Sequence, residues 1–70
     1  MKVFKFTTNC RYGGGCAVVA ANSEYEAFGA LCYLNDMYAQ YTDVKHCKLV
    51  EHLSTDVTIP TVIIANFYVE

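Results

Sequence analysis

Four cysteines, at positions 10, 16, 32 and 47, and two histidines, at 46 and 52, are the side chains of this 70-residue chain best suited to nucleophilic or metal chemistry. A catalytic thiol needs a base within hydrogen-bond reach, and His46 adjoins Cys47. In a strand, however, consecutive side chains point to opposite faces, so this pair cannot meet. His46 and His52 share a face of such a strand. Six residues at about 3.3 Å each set them roughly 20 Å apart, too far for one zinc ion. Cys10 and Cys16 flank Gly13-Gly14-Gly15 and can approach each other across a hairpin. Their spacing is looser than that of zinc loops, and no second cysteine pair follows.

Arg11-Tyr12-Gly13-Gly14-Gly15 holds one cation beside a run of free backbone amides. Phosphate loops of this composition open a helix, whose N-terminus adds partial positive charge. Here the glycines open a strand, so the run is expected to be a turn, with Arg11 and Tyr12 as candidate contacts to a protein. Glu24 and Glu26 diverge on a helix and are explained by capping and the helix dipole. Glu51 interrupts an apolar row of an edge strand, a device against unwanted pairing. Nucleophile, base and orienting group cannot be assembled. No catalytic, cofactor-binding or metal-ligating residue is therefore assigned, and the expectation is a non-enzymatic protein without cofactor. The alternative is a small-ligand or metal-binding domain centred on the Cys10–Cys16 glycine loop.

The elements that would position these residues follow from periodicity. Lys2 to Thr7 alternates and forms a first strand, with Phe4 and Phe6 on one side. A loop from Thr8 to Cys16 leads into a second strand, Cys16 to Ala21, apolar on both faces and so interior. Ser23 and Glu26 form a capping box that starts a helix running from about Glu24 to Gln40. Ala27, Ala30, Leu31, Leu34, Met37, Tyr38 and Tyr41 fall on its core face, while Tyr25, Phe28, Cys32 and Tyr33 fall outside it. Lys45 to Leu53 alternates as a third strand near an edge, with Cys47, Leu49, Glu51 and Leu53 opposed to His46, Lys48, Val50 and His52. Ser54-Thr55-Asp56 makes a turn, Pro60 opens the last strand, and that strand runs to the C-terminus. The order is ββαββ. The fold class is α+β: a two-layer, mostly antiparallel four-stranded sheet with one helix on one face, in a single domain over residues 1–70.

Cover is the central difficulty of this arrangement. The last strand sets Ile63, Ala65, Phe67 and Val69 on one row and Val62, Ile64, Asn66 and Tyr68 on the other. One helix covers one face, and a chain this short buries only about 60% of its unfolded surface. Yet 54% of its residues are hydrophobic, six are Tyr, and only 17% are charged. The surplus points to a homodimer or another protein partner, since tyrosine offers large contact area at low entropic cost. Val62, Ile64, Asn66, Tyr68, Tyr25, Phe28, Cys32 and Tyr33 are the candidate interface.

A formal charge of −2 argues against a nucleic-acid partner held by phosphate neutralisation, which calls for a basic stripe. No segment reaches the roughly 18 apolar residues of a membrane helix. Met1-Lys2 leads into alternation rather than an apolar signal run. The expected setting is the cytoplasm, with the cysteines reduced and structural.

Overall fold

The computed structural model describes residues 1–52 and 59–69. Strands β1 (Lys2–Thr7) and β2 (Gly13–Ala21) form the centre of an antiparallel sheet. Strand β3 (Cys47–His52) flanks β1 and strand β4 (Thr61–Val69) flanks β2, giving the order β3-β1-β2-β4. Helix α1 (Glu24–Leu34) lies on one face. This is the expected two-layer α+β architecture in ββαββ order. Among the described residues, this order makes β3 and β4 the edges.

The core forms where large residues of β1 stand across from small ones of β2. Phe4 pairs with Val19 and Phe6 with Ala17, and Ala27 and Leu31 of α1 close over them. Phe6, Ala17, Val19, Ala21, Ala27 and Leu31 are fully buried. Small side chains on β2 let the helix approach closely, and each buried Phe or Leu contributes about 1.5–3 kcal/mol. Phe28, expected on the outer face of the helix, is half-buried against this cluster, with its ring 6.1 Å from that of Phe6.

Ser23 caps α1 as expected, while Glu26 reaches back one residue past the cap, to Asn22. Ser23 Oγ accepts from the Glu26 amide at 3.2 Å, and Glu26 Oε1 accepts from the Asn22 amide. The helix does not reach Gln40. Asn35 turns extended, its amide donates to the Leu31 carbonyl, and its side chain accepts from the Met37 amide. An Asn side chain offers the backbone this alternative partner, and the helix gives way to a 3-10 helix over Asp36–Gln40. Leu34 and Met37 are consequently exposed, not part of a core face. Tyr38 and Tyr41 are redirected onto Phe67 of β4, at ring separations of 5.6 and 6.4 Å.

The β1–β2 connection is anchored to the segment after this turn. Thr42, fully buried, donates through Oγ1 to the Thr7 carbonyl at 2.7 Å. Thr8 Oγ1 and the Asn9 amide both donate to the Tyr41 carbonyl. The reversal sits at Cys10–Gly13, where the Gly13 amide donates to the Cys10 carbonyl. The three glycines are thus not the turn. They are strand residues of β2 that extend past the end of β1 and pair with β4 alone.

Two register shifts re-aim the edge strands. Between β1 and β3, Val3 faces Glu51 while Phe4 faces Leu49, leaving Val50 as the extra residue. Glu51 therefore leaves the row of Cys47 and Leu49 and joins the opposite face. Strand β3 itself starts at Cys47, because Val44–His46 form a 3-10 turn capped by Asp43. Between β2 and β4, Val18 faces Ile64 and Val19 faces Val62, so Ile63 is extra. A bulge of this kind switches the row of everything beyond it. Val62, Ala65 and Phe67 pack toward the core, and Ile63, expected in the inner row, is 59% exposed. The expected turn at Ser54-Thr55-Asp56, Leu53, and the side chain of Val69 lie outside the described residues.

Candidate functional site

The face of the sheet away from α1 is built from three rows set by the pairing register. Val3, Lys5 and Thr7 come from β1, Cys16, Val18 and Ala20 from β2, and Ile64, Asn66 and Tyr68 from β4. Val3 and Ala20 are buried, and Cys16 and Val18 are half-buried. Toward the β4 edge the cover stops: Ile64 is 53% and Tyr68 54% exposed, and Asn66 between them is exposed too. This brings together three of the candidate interface residues. Val62, the fourth on that strand, lies half-buried toward the core instead.

The glycine run is explained by this same edge. A Cβ on Gly14 would run into the ring of Tyr68, and one on Gly13 would lie 2.8 Å from the Tyr68 carbonyl oxygen. Gly15, at φ +96°, would drive a Cβ into the Asn66 carbonyl. Strand β4 can approach β2 only because these positions lack side chains.

The remaining candidates fall elsewhere. Tyr25 and Tyr33 stand exposed on α1, Tyr33 at 94%, on the layer opposite the open sheet face. Cys32 is half-buried on the same helix. Beside them, between α1 and the start of β4, Gly29, Ala30, Tyr33, Leu34, Pro60 and Val62 line a groove of about 560 Å³. Arg11 and Tyr12 lie at the hairpin reversal, where the guanidinium stacks on the tyrosine ring at 5.4 Å. The candidate residues thus form three separate patches, not one.

The groups with chemical potential are mostly occupied by structure. His46 Nδ1 lies 2.7 Å from Asp43 Oδ1, and the same carboxylate caps the turn by accepting from the His46 amide. These bonds, with one from Asn9, hold the Asp43 carboxyl down at about 2. Cys47 packs against the core cluster, and burial, aided by the charge of Glu24, pushes its thiol up to about 11. Burial, then the charge of Asp36, raises the Cys32 thiol as well. Both effects oppose thiolate formation. Cys10 Sγ is within 3.5 Å of the Gln40 carbonyl oxygen. Among the described residues, no three His, Cys, Asp or Glu side chains come together as a metal site, and no helix is long and apolar enough to cross a membrane.

Two features escaped sequence reasoning. Lys5 stands directly across from Lys48, and with Lys45 and His46 they line a cationic depression on the β3 side of the open face. Strand β4, for its part, is an edge. Strand order is a property of long-range pairing, so neither juxtaposition has a local signature. Composition points the other way for β4, since Thr61–Val69 contains no Asp, Glu, Lys or Arg and a strand apolar on both rows reads as interior.

No family model matches this chain, and neither the curated proteins nor the solved structures provide a match.

Proposed function

We propose that this chain is a non-enzymatic interaction module that self-associates as a homodimer through its uncovered sheet face. The observation that carries the reading is the unequal cover of the sheet. On the helix side Leu31, Phe28 and Tyr38 pack over the centre of the sheet, while on the other side Ile64, Asn66 and Tyr68 present an exposed row along β4. Exposed apolar side chains scattered singly are ordinary, but a contiguous row on a small domain marks a binding surface. The exposed Tyr12, Tyr25 and Tyr33 add residue types favoured where proteins meet.

Light scattering across a micromolar concentration series tests this. The expected result is a dimer that Ile64→Glu weakens or abolishes while circular dichroism stays unchanged, because Ile64 is half in water already. A monomer throughout, with Ile64→Glu without effect, overturns the proposal.

A further inference from the structure

We infer that the second copy is taken up at the free edge of β4, by antiparallel pairing of β4 with β4 around Asn66, so that two four-stranded sheets become one of eight strands. The inference rests on the self-association proposed above and places its contact along the edge of the uncovered face rather than across it.

The two edges of this sheet are treated differently. Edge strand β3 carries Lys48, Glu51 and His52 on six residues and is broken by a bulge at Val50. Charges and bulges are the usual means of keeping an edge from recruiting another strand. Strand β4 has nine residues and no charge; its bulge lies at Ile63 and leaves the stretch from Ile64 onward in regular register. One edge is guarded and the other is not.

The backbone shows which groups wait there. The Asn66 and Tyr68 carbonyls turn toward β2, beside Gly15 and Gly13. Backbone groups alternate sides along a strand, so the N–H and C=O of Ala65 and Phe67 face away from the sheet. A two-fold axis through Asn66 pairs Ala65 with Phe67 of the second copy, and Phe67 with Ala65, closing four hydrogen bonds in the pattern of an antiparallel ladder.

The side chains agree with that register on both faces. Toward the helices, the smallest side chain of the row, Ala65, meets the largest, Phe67, twice. On the open face Ile64 meets Tyr68 twice, and Asn66, the one polar residue of its row, meets its own copy, amide to amide. A two-fold axis normal to the sheet keeps both open faces on one side, so the exposed rows of the two copies join.

Amide hydrogen exchange followed by NMR at low and high protein concentration tests the geometry without altering the chain. The expected result is that the Ala65 and Phe67 amides exchange freely in dilute protein and slow by at least tenfold when it is concentrated, while the Asn66 and Tyr68 amides are protected at both concentrations. Ala65→Pro provides the second arm. Proline is tolerated on an edge whose N–H points outward, so this variant should keep its circular dichroism and lose self-association. If a dimer forms and Ile64→Glu breaks it, yet the Ala65 and Phe67 amides stay fast, the edge geometry is wrong and face-to-face association stands. Concentration-dependent protection in β3 instead overturns the inference as well. A monomer at every concentration removes both proposals.

Discussion

Leu31→Ala and Leu34→Ala form the sharpest pair of perturbations on this fold. Both leucines lie at core positions of the helical pattern, so periodicity alone assigns them equal costs. In the structure Leu31 is fully buried between β1, β2 and α1, whereas Leu34, in the last turn before Asn35, is 60% exposed. Truncating a buried leucine removes three carbons, or about 2.4 kcal/mol at ~0.8 kcal/mol per carbon, before the unfilled cavity adds its own term. The expected loss for Leu31→Ala is therefore about 3–4 kcal/mol. A domain of this length has roughly 4–10 kcal/mol of total stability, so much of the transition should shift. At about 4–8 °C per kcal/mol, Tm falls by roughly 12–30 °C. For Leu34→Ala the apolar area at stake is less than half, and alanine's helix propensity offsets part of it; a loss below about 1 kcal/mol is expected. Urea denaturation followed by circular dichroism measures both, under conditions where the protein is monomeric. Equal losses for the two variants would refute the helix end at Asn35 and the packing derived from it.

Two further outcomes follow from the same geometry. Gly15→Ala should destabilise by at least about 1–2 kcal/mol from its left-handed backbone alone, because its Cβ also strikes the Asn66 carbonyl; Gly29→Ala, whose Cβ meets only open space in the middle of α1, should stabilise by roughly 0.5–1 kcal/mol, and urea titrations that rank the two the other way contradict the β2–β4 approach described. The Asp43 carboxyl, held at about 2 chiefly by His46, has a folded value below its unfolded one, so its stabilisation is complete above the ordinary carboxylate range and is lost as pH falls toward 2; an NMR titration should place its midpoint there and His46→Ala should move it upward, whereas a wild-type midpoint near 3.8 contradicts the pairing.

What could be read from the sequence was whatever short-range physics decides. The alternation of Phe4 and Phe6, the Ser23–Glu26 capping box and the branched apolar run of the last strand are satisfied within a few residues of themselves. They suffice for four strands, one helix and the α+β class. The helix end was misjudged because Asn35 competes for the backbone locally, while the apolar pattern beyond it continues in Met37, Tyr38 and Tyr41. Those tyrosines serve Phe67, 29 and 26 residues away, through a different turn of chain. The glycine run misled in the same way, since a turn and a close strand approach both call for glycine.

The candidate interface depended on information of another kind. That the last strand is apolar on both rows is plain from Thr61–Val69 alone, and with one helix available it implies an uncovered surface. Which residues occupy each row is decided by a single extra residue, Ile63, whose bulge exists only against Val18 and Val19 of β2. That the strand is an edge is decided by β3 pairing with β1. Side-chain chemistry and spacing thus determine that this protein has more two-faced sheet than one helix can cover. Tertiary pairing decides where the excess lies, because register and strand order are fixed by hydrogen bonds between residues far apart in the chain.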